Sequence, residues 1–295
     1  MDFIQQFING LSLGSIYALI ALGYTMVYGI AKMLNFAHGD VIMVGAYVLS
    51  IIATQAGLSP VLVMILPIII AMIACTVLGV TIEKIAYKPL RESSPLAVLI
   101  TAIGVSYFLQ SVALLLFGSN QRKVKSFIPY FTIKLGNIEL SGDAIITLLV
   151  TIIIMIALVL FINKTKVGKA MLAVSEDKGA AQLMGINVNR TISLTFAIGS
   201  FLASIASILY VSSYGFVGPY SGSMPGIKAF VAAVLGGIGS VPGAMLGGLI
   251  LGLIESMSKA YISTQLADAI VFSVLIIVLL VKPTGILGKK KITKV

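Results

Sequence analysis

The sequence predicts an all-α, polytopic membrane protein of about eight membrane helices, one of them broken or re-entrant and rich in glycine. Three observations carry this prediction. The 295 residues are 59% apolar and only 10% charged, with a mean hydropathy of +1.10, whereas water-soluble domains carry a charged fraction of about 25%. Apolar runs of spanning length recur from Phe7 to the last basic cluster, and no polar stretch between them is large enough to fold alone, so 1–295 reads as a single membrane domain. The Lys and Arg residues gather in short loops between the runs, which is the pattern of topology signals.

Each spanning helix needs about 20 mostly apolar residues, because every backbone polar group must be paired within the segment. The clear candidates run from Phe7 to Ile30, Val41 to Thr54, Val61 to Ile82, Leu96 to Phe117, Ala144 to Ile162, Ile192 to Tyr214 and Ala267 to Val281, the second being short. Between Pro225 and Tyr261 a longer apolar stretch is interrupted by Gly236, Gly237, Gly239, Pro242, Gly243, Gly247 and Gly248. No uninterrupted helix favours that content, so a half-helix, a turn and a second helix are expected. Small residues at Gly14, Ala18 and Gly23, and at Gly243, Gly247 and Gly252, allow close helix contact.

Orientation follows from the basic loops. The loop from Glu83 to Ser94 holds Lys84, Lys88 and Arg91; the loop 163–190 holds Lys164, Lys166, Lys169, Lys178 and Arg190; the tail holds Lys282, Lys289, Lys290, Lys291 and Lys294. All three are placed in the cytoplasm, with the N-terminus outside. An even number of crossings must then follow Arg190, so the broken stretch is expected to enter and leave on the outer side or to form a hairpin. The loop from Gly118 to Gly142 opposes this with Arg122, Lys123, Lys125 and Lys134.

The net charge of +10 raises nucleic acid as a partner, but no interleaved basic and aromatic face accompanies it, and none is expected. The single cysteine, Cys75, lies in an apolar run and excludes an intramolecular disulfide or a cysteine metal cluster. Residues Met1 to Gln6 carry one acid and no basic residue, so they lack the charged region of a cleaved signal peptide and the first span is expected to be retained.

Two segments carry candidate chemistry. In the loop 163–190, Ser175 is expected to cap a short helix with Glu176 and Asp177 in its first turn, and Gly185 to end it. Ala180, Leu183 and Met184 fall on one face, so this helix presents a small apolar patch, either to a partner or to the protein's own membrane domain. Between the first two spans stand Asn35, His38, Gly39 and Asp40. His38 and Asp40 could relay a proton, or these polar residues could satisfy helix ends at a break, with Asp40 capping a helix that starts at Val41. Such a break, with the second one at Gly236, Gly237 and Gly239, is expected to border the solute pathway. Glu83, Glu255 and Asp268 lie at apparent helix ends and are expected to reach water as interfacial anchors.

The residues Ala173 to Arg190, with their acidic start, Ala180-Ala181 and Met184-Gly185-Ile186-Asn187, resemble the coupling segment of permeases in ATP-binding cassette importers, the counterpart of the EAA loop. Gly23-Tyr24-Thr25-Met26-Val27-Tyr28-Gly29, then Leu34 to Asp40 and Gly45-Ala46-Tyr47, resemble the N-terminal region of LivH-type branched-chain amino acid permeases. Ala233 to Ser240 with Pro242-Gly243-Ala244 resembles their C-terminal glycine-rich segment. The resemblance runs over nearly the whole chain in order. It implies a permease subunit in the cytoplasmic membrane, paired with a second related permease, two cytoplasmic ATP-binding subunits and a periplasmic or lipid-anchored amino acid binding protein. It also implies the coupling residues Ser175, Glu176, Asp177, Ala180, Ala181, Met184 and Gly185.

The resemblance further implies that the chain hydrolyses nothing itself and needs no cofactor, which fits the lack of a G-x-x-x-x-G-K-[ST] phosphate loop in the sequence and places the energy source on a partner if transport is ATP-driven. The rival readings are a permease for another small polar solute such as urea or a short amide, and a secondary transporter or channel. The latter needs an ion-coupling carboxylate or filter deep in a span. An intramembrane enzyme is disfavoured by one histidine, one cysteine and no H-E-x-x-H.

Overall fold

A Ser-Pro pair ahead of an apolar run is a strong helix start, since the serine oxygen accepts an orphan N–H and proline has none to leave unpaired. The chain uses it twice, at Ser59-Pro60 and Ser94-Pro95, and Ser141 and Ser240 cap two further helices. The computed structural model describes residues 3–54, 59–135 and 138–288. Its helices are α1 (Phe3–Ala31), α2 (His38–Ala53), α3 (Pro60–Ile82), α4 (Pro95–Phe117), α5 (Gly142–Lys164), α6 (Lys166–Glu176), α7 (Lys178–Leu183), α8 (Val188–Tyr214), α9 (Ser223–Gly236), α10 (Val241–Tyr261) and α11 (Ala267–Val281). A π turn over Glu83–Tyr87 and a 3₁₀ turn over Lys88–Leu90 prolong α3.

Six of the described helices are long and apolar enough to cross a membrane, α1, α3 with its prolongation, α4, α5, α8 and α10, and α2, α9 and α11 are shorter apolar helices. The expected break between Pro225 and Tyr261 is real, with α9, a turn at 237–240 and α10. Four short strands were not foreseen. β1 (Arg122–Lys123) pairs antiparallel with β4 (Phe216–Val217), and β2 (Thr132–Leu135) with β3 (Ile138–Ser141).

The core is built around α1, which packs on α10, α8, α5 and α9. Glycine makes the closest of these approaches possible. A Cβ on Gly252 would fall 2.1 Å from the Gly14 nitrogen, and one on Gly248 would fall 2.4 Å from the Ala18 Cα. The helices around this centre turn apolar side chains such as Val77, Leu115, Ile153 and Leu280 outward, as a bilayer requires.

Contacts between loops sort the segments to two ends. At one, Arg91 donates to the Asn189 side chain, the Tyr87 hydroxyl lies within hydrogen-bond distance of Leu34 and Asn35, and Gly29 abuts Gly239. The Ile286 and Leu287 amides donate to the Leu235 and Gly236 carbonyls, bringing the start of the tail to the same end. This end gathers the described parts of all three lysine-rich segments; Lys289, Lys290, Lys291 and Lys294 lie outside the described residues. At the other end, β1 pairs with β4, and Gln5 accepts from the Glu139 amide. Of the four basic residues that oppose the charge pattern there, Lys134 pairs with Glu139 at 2.8 Å and Arg122 lies 5.0 Å over the Phe117 ring. α9 runs to the basic end and α10 returns from it, the expected hairpin.

Candidate functional site

A side-chain oxygen caps a helix only where its own backbone is non-helical. In the loop 163–190 that condition holds at Thr165, Asp177 and Asn187, with φ and ψ of −90° and 154°, −151° and 114°, and −75° and 95°. Their oxygens accept from the Gly168, Ala180 and Arg190 amides at 2.9, 3.0 and 3.0 Å. The expectation that Ser175 caps the short helix is therefore corrected. Ser175 and Glu176 finish α6, which runs on because Gly168, Met171 and Val174 bury one face, and the Ser175 hydroxyl donates back to the Leu172 carbonyl at 2.7 Å. Asp177 is the cap of α7, outside its first turn.

Gly185 ends α7 as expected. Its φ is +81°, and the Gly185 and Ile186 amides donate to the Gln182 and Ala181 carbonyls, both at 3.0 Å. This pair of bonds needs a left-handed residue, which glycine supplies without a Cβ clash. Its effect is to hold a two-turn element, too short to be stable alone, in a fixed pose. Leu183 is 89% and Met184 82% exposed, with Ala180 exposed beside them, while Ala181 is 4% exposed and packs into the chain's own core.

The first break begins where Lys32 turns the chain with φ +59°, and α2 starts at His38, three residues earlier than expected. Asp40 is thus inside the helix and caps nothing. Its Oδ1 accepts from Gln110 Nε2 at 3.0 Å, and that nitrogen also lies 3.1 Å from the Ser106 and Ser223 hydroxyls. Asn35 meets the start of α2 through its backbone, its carbonyl accepting from the His38 amide at 3.1 Å, while its side-chain Oδ1 accepts from the Tyr87 hydroxyl at 3.0 Å. His38 packs edge-on to Tyr24 with centroids 4.9 Å apart, and its Nε2 has no hydrogen-bond partner among the described residues.

The α2 and α9 N-termini meet at this break. A Cβ on Gly39 would fall 2.3 Å from the Gly222 oxygen, and one on Gly222 would fall 2.0 Å from the Gly39 oxygen. Two helix starts each carry roughly half a positive charge, and the buried Asp40 carboxylate beside them supplies the opposite sign. Since the obstacle at Gly39 is backbone that cannot rotate away, Gly39→Ala is expected to cost at least the roughly 1–3 kcal/mol of an overpacked core. Gly104→Ala, where the new methyl meets nothing within 4 Å, is the matched control. Thermal unfolding of the two purified variants checks the contrast, and equal midpoints would remove the junction as a tight contact.

Gly236, Gly237 and Gly239 lie at the other end of α9, against the tail and Gly29. The two breaks share α9, yet its 14 residues separate them by about 20 Å at 1.5 Å per residue. They do not form one site.

The structure also corrects the view of Glu83 and Glu255 as anchors in water; both are buried in ion pairs. Glu83 pairs with Arg91 and accepts from the Ser193 hydroxyl at 2.6 Å. The π turn at Glu83–Tyr87 places both of its end residues inward. Glu255 lies 2.8 Å from Lys228, 2.6 Å from Lys259 and 2.9 Å from the Tyr17 hydroxyl, and Lys228 also reaches Asp268 at 2.6 Å. Only Asp268 of the three expected anchors is partly exposed. Lys228 and Gln110 were not singled out in the sequence. The signal for Lys228 was its isolation, since no other basic residue stands between Arg190 and Lys259, and a lone charge in an apolar stretch implies a buried partner.

The family model of the branched-chain amino acid transport system permease component matches residues 6–279. The chain is 47% identical to the high-affinity branched-chain amino acid transport system permease protein LivH of Salmonella typhimurium over 99% of its length and 98% of that protein. To the BraD permease protein of Pseudomonas aeruginosa it is 45% identical, with the same two coverages. The probable LivH of Methanocaldococcus jannaschii is 28% identical over 93% of the chain and 89% of its own length. With apolar helices long enough to span a membrane and similarity from end to end, the chain belongs to the permease components of branched-chain amino acid transport systems, multi-pass proteins of the cytoplasmic membrane.

Proposed function

We propose that this chain is one of two permease subunits of an ATP-driven importer for leucine, isoleucine and valine, with α7 docked on a cytoplasmic ATPase. The observation that carries the reading is the pose of α7. A capped, two-turn helix at the basic end exposes Leu183 and Met184, and two such side chains in water are unfavourable unless a partner covers them. Thr165, Asp177 and Asn187 fix α6, α7 and α8 in series, so a push on α7 passes to α5 and α8.

The energy source lies on the partners, which in this reading are a second related permease, two ATP-binding subunits and a periplasmic or lipid-anchored amino acid binding protein. The α2–α9 junction, with His38, Gly39 and Asp40 and with Asn35 on its basic-end side, borders the pathway. Gly236, Gly237 and Gly239 form its floor at the basic end, and α9 connects the two. The names of the LivH and BraD relatives support the substrate class.

Affinity purification from gently solubilised membranes, with mass spectrometry of the co-purifying chains, tests the assembly. Recovery of an ATPase pair, a second permease and an amino acid binding protein is expected. A binding protein that takes urea or an amide in place of leucine would overturn the substrate, and a homo-oligomer that transports without an ATPase would overturn the mechanism.

A further inference from the structure

Between α5 and α8, on the apolar outer surface, there is a groove of about 270 Å³. Its walls include Ile154, Leu158 and Phe161 on α5 and Ile198, Phe201 and Ile205 on α8, and every residue lining it is apolar. No element of the described chain closes it.

Helical spacing determines what stands at its foot. Residues three or four apart share a helix face. Following Ile154, Leu158 and Phe161 along α5 leads to Lys164, one turn further on. Following Ile205, Phe201 and Ile198 back along α8 leads through the exposed Leu194 to Arg190. Lys164 and Arg190 are exposed, and neither makes an ion pair among the described residues. Lys166 and Lys169 follow on α6, whose buried face is Gly168, Met171 and Val174, so Val167 and Leu172 are left exposed beside the lysines. Apolar and basic side chains exposed together on a short helix are what the boundary between headgroups and acyl chains accommodates.

We propose that the α5–α8 groove is a binding site for an anionic phospholipid of the leaflet at the basic end. One acyl chain lies along Leu158, Phe161 and Phe201, and the phosphate is held by Lys164 and Arg190. Charge complementarity decides between occupants. A neutral lipid or a partner helix would fill the apolar walls equally well but would leave two unpaired cations at the mouth of the groove. An anionic headgroup satisfies walls and mouth together. Basic residues at helix ends also set topology, but that role does not require them to continue the stripes of one groove from both walls.

The test uses the purified complex with its partners, stripped of lipid in mild detergent and offered equal amounts of phosphatidylglycerol and phosphatidylcholine. Native mass spectrometry reads the retained lipid. Phosphatidylglycerol is expected to be retained preferentially, and excess inorganic phosphate is not expected to displace it. Lys164→Gln with Arg190→Gln is expected to weaken retention by roughly fivefold for each charge removed. Ala157→Phe, which fills the groove, is expected to reduce retention of both lipids. Equal retention of the two lipids, or a double variant that keeps the preference, would overturn the proposal. So would a Phe201→Cys variant that cross-links to a second permease, since the native Cys75 is buried and stays silent in that experiment.

Discussion

Arg91→Ala is expected to destabilise the protein by about 3–5 kcal/mol, the usual cost of leaving a buried charge unpaired. Glu83 is 0% and Arg91 12% exposed, and Arg91 is the only cation in contact with that carboxylate among the described residues. With Arg91 gone, the Ser193 hydroxyl remains as a single neutral donor. The removal is asymmetric. Glu83→Gln frees an arginine that retains its bond to Asn189 and some access to water, so it is expected to cost less than half as much. Glu83→Gln combined with Arg91→Gln removes both charges and is expected to recover most of the loss. Heating the purified complex in mild detergent and measuring the folded fraction ranks the three variants. An Arg91→Ala protein as stable as the parent would show that water reaches Glu83.

The contrast with Lys228 sharpens this expectation. Lys228→Met leaves Glu255 with Lys259 and Tyr17, and Glu255→Gln leaves Lys228 with Asp268. Each single loss there is buffered by a third charge, and Lys259 and Asp268 are both partly exposed. The exposed pair Lys134–Glu139 is weaker again, because water and salt screen it. Burial and the number of partners, rather than ion-pair distance, set the order.

The helices were legible because bilayer and backbone leave the sequence few options. An apolar run of spanning length with basic ends has one stable form, and a break in the glycine-rich stretch could be recognised for the same reason, although it is confined to 237–240, and Gly243, Gly247 and Gly248 lie inside α10. Gly185 was legible because a left-handed helix end is a local requirement. What escaped depended on distance in the chain. Ser175 and Asp177 are both good caps in isolation, and the choice was made by the burial of Met171 and Val174, which sequence cannot show to be inward. Asp40 read as a cap for a helix from Val41, whereas Gln110, 70 residues away, takes its carboxylate. Glu83 and Glu255 sit near the ends of apolar runs, where water is the default partner, yet Ser193 joins the nearby Arg91 on Glu83, and Tyr17 and Lys228 join the neighbouring Lys259 on Glu255.

Leu183→Glu with Met184→Glu is expected to lower ATP-driven uptake by at least tenfold, about 1.4 kcal/mol or more of docking free energy, while the subunit remains folded in the membrane. Both side chains are almost wholly exposed, so the change removes the apolar area that the proposed docking would use and nothing from the chain's own core. Ala181 lies on the same short helix but faces inward, so Ala181→Glu is expected to fail earlier, through misfolding. Gly185→Glu adds strain at φ +81° and confounds docking with geometry. The pair 183 and 184 therefore isolates the contact. Uptake into vesicles, ATP hydrolysis and retention of the ATPase on the purified permease are measured together. Loss of all three with a normal unfolding midpoint places the ATPase on α7. Normal uptake in the double variant would remove α7 from the coupling path and leave its exposed leucine and methionine to the membrane surface.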